Sequence, residues 1–218
     1  MSQVDVKTNE IEVARKFYGT DDSAWQEAIL SGEWRKKKNQ NGELIIDAYE
    51  AAFSIDGPMQ SYFELVYEYA DRVGLRHDDS SLAITGNTDL FTEKLITGFA
   101  SAQFTNRIYL DAAITLGDKI DYSNNRIGDI TELGATLEWN PTDHLKATLG
   151  YINSALDADK QDVYDAQLID TRITYQFNVR SYLKLSVVYQ DIDRNPDNYL
   201  YDNVNKNTKN LATQLIYA

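Results

Sequence analysis

Between Asp170 and Pro196 apolar residues occupy every second position on either side of Asn178-Val179-Arg180: Ile173, Tyr175 and Phe177 before it, and Leu183, Leu185, Val187 and Tyr189 after it. A period of two over this length, broken by a short polar turn, predicts a β-hairpin with one greasy face. The alternate positions, Thr174, Gln176, Lys184, Ser186 and Gln190, are polar without being uniformly charged. Such a face suits either a solvated sheet or the polar lumen of a barrel.

The same pattern recurs along the chain. Ile11–Tyr18 alternates and ends in the turn signal Gly19-Thr20-Asp21-Asp22-Ser23. Trp25–Lys38 reads as strand rather than helix, because Gly32 and Asn39-Gln40-Asn41-Gly42 fit a hairpin better than Ser23 fits a helix cap. Leu44–Phe53, Ser61–Asp71, Leu95–Phe104, Ile108–Leu116, Leu133–Trp139, Leu145–Ile152 and Asn210–Tyr217 follow, giving about ten strands in all. Tight turns are expected at Ile55-Asp56-Gly57-Pro58, Thr105-Asn106-Arg107 and Asn140-Pro141-Thr142-Asp143. Alternating with them, long acidic loops are expected over Arg72–Glu93, Gly117–Thr131, Asn153–Gln167 and Asp191–Lys209.

Short connections at one end and long ones at the other are the pattern of an up-and-down antiparallel barrel in an outer membrane. Aromatic residues flanking the tight turns (Phe53, Tyr62, Phe104, Tyr109, Trp139, Phe177 and Tyr182) are expected to form an interfacial girdle, with Tyr69, Tyr151 and Tyr189 in a second belt. The expected fold class is therefore all-β, an antiparallel up-and-down transmembrane barrel, with residues 1–218 forming one domain. At 218 residues and 43% hydrophobic content a single all-β domain is reasonable. A net charge of −13 excludes a nucleic-acid partner, which needs a basic face, and the absence of cysteine excludes disulfides and thiolate metal sites. Met1 is followed by no signal segment, which leaves a cytoplasmic protein or a chain whose precursor start is not included.

The segment Thr174–Tyr201, with Asn210–Ala218, resembles the C-terminal part of an uncharacterised bacterial outer-membrane β-barrel family, and Glu138–Tyr151 is similar to the preceding hairpin of that family. In that family a carbohydrate-binding module of the family-9 type commonly precedes the barrel. The resemblance implies a role in transport, surface display or handling of a glycan, with outer-membrane lipid and lipopolysaccharide as partners. Members continue beyond the point matching Ala218 with a further hairpin and a terminal aromatic strand, so this chain is expected to be a barrel piece truncated at both ends. The competing expectation is a soluble, lectin-like β-sheet protein in which Leu133, Ala135 and Leu137 pack inward against Leu145, Ala147 and Leu149.

No residue pattern carries catalysis. His77 and His144 are the only histidines and neither has a partner at metal-ligand spacing; no nucleophile elbow or phosphate-cradling loop occurs. No catalytic, cofactor-binding or metal-ligating residue is assigned, and an enzyme is not expected. Asp191, Asp193, Asn195 and Asp197 place oxygens on alternate residues as a calcium loop does, but Pro196 stands where such a loop needs glycine, so a solvated acidic loop is the expectation. The looser set Asp157, Asp159, Asp162 and Asp165 is read in the same way. Arg35-Lys36-Lys37-Lys38 is the one basic cluster; strand parity puts it at the long-loop end, where a solvated hairpin end is the ordinary reading and lipopolysaccharide phosphates the sharper one.

Overall fold

The computed structural model describes residues 6–74, 89–200 and 203–218. They form one sheet of eleven antiparallel strands, each hydrogen-bonded to its sequence neighbours in the order β1 to β11. The strands are β1 (Lys7–Tyr18), β2 (Glu27–Lys38), β3 (Leu44–Asp56), β4 (Tyr62–Val73), β5 (Leu90–Thr105), β6 (Ile108–Asp121), β7 (Arg126–Thr142), β8 (Leu145–Ala158), β9 (Gln161–Asn178), β10 (Ser181–Arg194) and β11 (Asn207–Tyr217). The all-β, up-and-down architecture is as expected, and the strand expected over Trp25–Lys38 forms over Glu27–Lys38. Among the described residues β1 and β11 each have one partner strand, so the sheet is open. With eleven strands, β1 and β11 run in the same direction.

Cross-strand register assigns every side chain to one of two faces. Leu110, Leu137 and Leu149 are successive partners across β6, β7 and β8, and Leu65, Phe53 and Leu30 are successive partners across β4, β3 and β2. Followed strand by strand, the apolar sets join into one band running from Ile11 and Val13 on β1 to Leu211 and Leu215 on β11. The apolar side chains of this outer face are widely exposed: Val13 is 69% exposed, Leu65 45%, Ile114 42% and Leu149 46%. On the opposite face of β3 to β7, polar residues are less exposed than their apolar neighbours; in β4, Glu64 and Glu68 are half-buried while Phe63, Leu65 and Tyr67 are exposed. The polar face is thus the sheltered, inner one.

The magnitudes separate this sheet from an ordinary soluble surface. Eleven strands about 4.8 Å apart make the band about 50 Å wide, and Ile108 to Leu116 spans about 27 Å along β6. The product, roughly 1,300 Å², exceeds the few hundred Å² of the largest apolar patch on a typical soluble monomer. Leu133, Ala135 and Leu137 lie beside Ala147 and Leu149 on this one face, as neighbours within a layer rather than as opposed layers.

Two of the four expected long loops are mostly strand. Gly117–Thr131 reduces to a turn over 122–125 between β6 and β7, and Asn153–Gln167 reduces to Asp159-Lys160, both at positive φ (55° and 64°), the hairpin turn that matches strand twist. The outward alternation ends there because the strands climb past the apolar band to a second set of apolar residues, the buried Ile120, Ile130, Leu156, Ala158 and Val163, while the backbone ladder continues. Asp191–Lys209 shrinks to residues 195–206, and most of Arg72–Glu93, including His77, lies outside the described residues. The turn at Asn140-Pro141-Thr142-Asp143 falls two residues later than expected, since β7 continues through a register shift to Thr142.

The aromatic girdle also needs correction. Tyr62, Tyr109 and Tyr182 occupy inner-face positions, as partners of Asp56, Glu138 and Gln176. Register shifts at Gln103/Thr105 and Ser181/Tyr182 accompany the turns before Tyr109 and Tyr182, whereas Tyr62 takes the inner face by plain alternation with Phe63, with no shift between β3 and β4. On the outer face near the tight turns stand Phe17, Phe53, Phe63, Trp139, Tyr175 and Tyr217, with Phe177 edge-on to Tyr175 at 5.0 Å and to Tyr217 at 6.2 Å. Tyr69, Tyr151 and Tyr189 do share the outer face, and Tyr69 meets Tyr49 at 6.4 Å.

Gly117 marks where β6 leaves β5. Its φ is +134°, and a Cβ there would lie 2.0 Å from the Lys94 carbonyl oxygen. Gly117→Ala is expected to cost about 1–3 kcal/mol, the scale of backbone strain at such a position. The check is a lower thermal midpoint than wild type, with Gly134→Ala, which meets no atom within 4 Å, unchanged.

Candidate functional site on the inner face and its covered end

The inner face carries two built features. The first is a recess over β7, β8 and β9, with a volume of about 380 Å³. It exists because Gly134 and Gly150 fall at inner-face positions on adjoining strands, and no side chain fills the space above them. Asp170 and Arg172 form its far wall, joined by a 2.6 Å ion pair between Asp170 Oδ2 and Arg172 Nη2. Asp170 Oδ1 is buried and makes no hydrogen bond among the described residues. Thr136 and Thr148 flank the floor, and Ile152 and Leu168 form an apolar edge.

The second feature lies at the end opposite the tight turns. Residues 195–200, including the 3-10 turn Pro196–Asn198, fold back over the β6–β7 and β8–β9 turns. Arg126 holds this segment: its guanidinium donates to Asn198 O and Oδ1, both at 2.8 Å, while also pairing with Asp159 at 2.8 Å and Asp121 at 3.3 Å. Asn198 Nδ2 donates to the carbonyls of Gln161 and Asp162, and the Leu200 amide donates to Asn124 Oδ1 at 2.8 Å. Asp121 and Asn124 are both buried. Tyr199 packs on the buried cluster Ile130, Leu156, Ala158 and Val163, and that burial raises its phenol above the ordinary tyrosine range. The Asn198 side chain contributes several of these bonds; Asn198→Ala is expected to speed protease cleavage within 195–206 severalfold while leaving the strands protected, as hydrogen exchange reads them.

The residues singled out in the sequence are dispersed. His144 sits in the β7–β8 turn with Nδ1 2.8 Å from the Gln176 carbonyl. Asp191 accepts from Lys209 and Tyr189, Asp193 is exposed in β10, and Asn195 and Asp197 belong to the segment held by Arg126. Asp159 pairs with Arg126, while Asp157 lies opposite Asp162 beyond the apolar band, where burial and the neighbouring carboxyl raise it. No group of acids or histidines with metal-holding geometry occurs among the described residues. The basic cluster does lie at the same end as the β6–β7 and β10–β11 connections, but its members alternate between faces: Lys36 pairs with Asp47 on the outer face, and Arg35 approaches Glu33 at 3.7 Å on the inner one. It is therefore not a single patch.

Neither the glycine recess nor the Arg126 clasp was found from sequence. Gly134 and Gly150 left a faint signal, glycine at the polar parity of consecutive strands. Arg126 and Asn198 are 72 positions apart and left none. No protein-family model, curated protein or solved structure matches the chain.

Proposed function

We propose that this chain is a domain of a bacterial outer-membrane β-barrel, non-enzymatic, with a role in transport, surface display or ligand handling. The observation that carries this reading is the inverted burial: a continuous apolar band faces outward across eleven strands while, on β3 to β7, the polar face is the sheltered one. Lipid is the solvent that such a face fits, since a barrel in a membrane alternates apolar-out and polar-in. Beyond the band the same outer face turns charged, with Lys36, Asp47, Asp71, Lys94 and Asp118 on β2 to β6, as strands rising out of a bilayer would. The glycan element of the role rests on the family resemblance alone. The resemblance itself, to a family associated with carbohydrate-binding modules, is part of the same proposal.

The soluble, lectin-like alternative needs a second layer over the outer face, and the described residues supply none. Fractionation of native cells, with boiled and unboiled samples compared by immunoblot, tests the reading. A heat-modifiable band in the outer-membrane fraction is the expected result. A soluble band at 24.8 kDa would overturn it.

A further inference from the structure

We infer that the recess over Gly134 and Gly150 is a subsite for a neutral saccharide. It rests on the barrel reading only in that the inner face is then a lumen wall. At about 380 Å³ the recess falls within the range of small-molecule pockets. Its room is made by sequence: a Cβ on Gly134 would meet nothing within 4 Å, and one on Gly150 would meet only Asp170 at ordinary contact distance. Glycine weakens a strand interior, so two of them beside one recess mark a place where something else approaches the backbone closely.

The wall chemistry selects the class of occupant. Asp170 Oδ1 is an acceptor without a donor, and a buried group of this kind calls for a partner. Arg172 beside it has five N–H donors, one of them taken by Asp170. A hydroxyl both donates and accepts, so a vicinal diol satisfies the carboxylate oxygen and the guanidinium together. It must shift the exposed Arg172 side chain to do so, because Oδ1 itself has no accessible surface. The ring's C–H face then lies on Ile152, Leu168 and the glycine backbone, with Thr136 and Thr148 in reach of further hydroxyls. An anion is disfavoured by Asp111 and Asp170, and a cation by Arg172; a neutral polyhydroxylated ring meets neither penalty.

Equilibrium dialysis of the purified full chain in detergent, against maltotriose, cellotriose and xylotriose, tests this. Saturable binding of at least one trisaccharide is expected, with affinity falling by about tenfold or more in Asp170→Asn, because a charged hydrogen bond is lost. Gly134→Leu, whose Cβ meets no atom within 4 Å, fills the recess, so it should abolish binding while its circular dichroism stays that of wild type. Absence of binding by all three sugars, wild-type affinity in Gly134→Leu, or displacement of the sugar by spermidine would each overturn the assignment. The readout needs no bilayer, so a chain found soluble on fractionation would sink the barrel reading and leave this result to stand or fall alone.

Discussion

Replacing the exposed Ala51 with arginine should cost about 2–4 kcal/mol and block membrane assembly, whereas the same change at half-buried Ala52 should be nearly neutral. The two residues are consecutive on β3. Ala51 faces outward between Gly32 and Tyr67, in the middle of the apolar band; Ala52 faces inward between Ser31 and Val66. In the membrane reading an arginine at 51 is held in hydrocarbon. An arginine at 52 would enter a sector already rich in carboxylates, where Glu12, Glu33, Glu50 and Glu68 are successive cross-strand partners whose mutual repulsion a cation relieves. In a water-soluble sheet the order reverses: arginine at an exposed alanine falls within about 0.5 kcal/mol of neutral, and the half-buried position pays more. Yield of heat-modifiable protein from refolding into lipid vesicles measures both variants. A refolding Ala51→Arg beside a failing Ala52→Arg would refute the membrane orientation.

Arg126→Ala is expected to release residues 195–200 from the covered end. The guanidinium is the common partner of Asp121, Asp159 and Asn198, and its loss strands the buried Asp121 carboxylate with Asn124 as its remaining side-chain partner. Removing one member of a buried pair costs about 3–5 kcal/mol; Arg126 is itself about a quarter exposed, so about 2–3 kcal/mol is the expected local cost. That loss shifts an opening equilibrium by about thirtyfold to over a hundredfold. Limited proteolysis should therefore cut Arg126→Ala within 195–206 well before wild type, and Arg126→Lys should sit between them, because an ammonium lacks the planar fork that reaches three partners at once. If the segment covers a lumen, bilayer conductance should rise in parallel with cleavage. Equal cleavage of all three proteins would show that the clasp does not hold the segment.

What the sequence made legible follows from the range of its signals. Alternation reads one face of one strand, so every strand that crosses the apolar band was found, from Ile11–Tyr18 to Asn210–Tyr217. It fails beyond the band, where isolated buried apolar residues such as Ile120, Leu156 and Ala158 are interleaved with acidic and small ones, so Gly117–Asp121 and Asn153–Ala158 read as loops although both are strands. Closeness to a turn does not set parity. An aromatic girdle read from it takes in Tyr62, Tyr109 and Tyr182, which alternation with Phe63, Leu110 and Leu183 puts on the inner face, and leaves out the outer-face Phe63 and Tyr175. The open edges at β1 and β11 and the covered end depend on contacts between residues far apart in the chain. Asn124 and Leu200, 76 positions apart, meet only because the β6–β7 and β10–β11 connections lie at the same end of the sheet and residues 195–200 fold back over it.

The claim at the centre is that Phe63, Leu65 and Tyr67 face lipid while Glu64, Val66 and Glu68 face water. The chain contains no cysteine, so single cysteines placed one at a time over residues 62–69 of β4 can carry nitroxide labels without background. Power saturation in lipid vesicles would then compare accessibility to oxygen, which concentrates in hydrocarbon, with accessibility to a water-soluble nickel chelate. Oxygen maxima at 63, 65 and 67, out of phase with nickel maxima at 64, 66 and 68, are the predicted result. Nickel access at 63, 65 and 67, or low access of both reagents there, would mean that the apolar face meets water or a protein core, and would contradict the barrel.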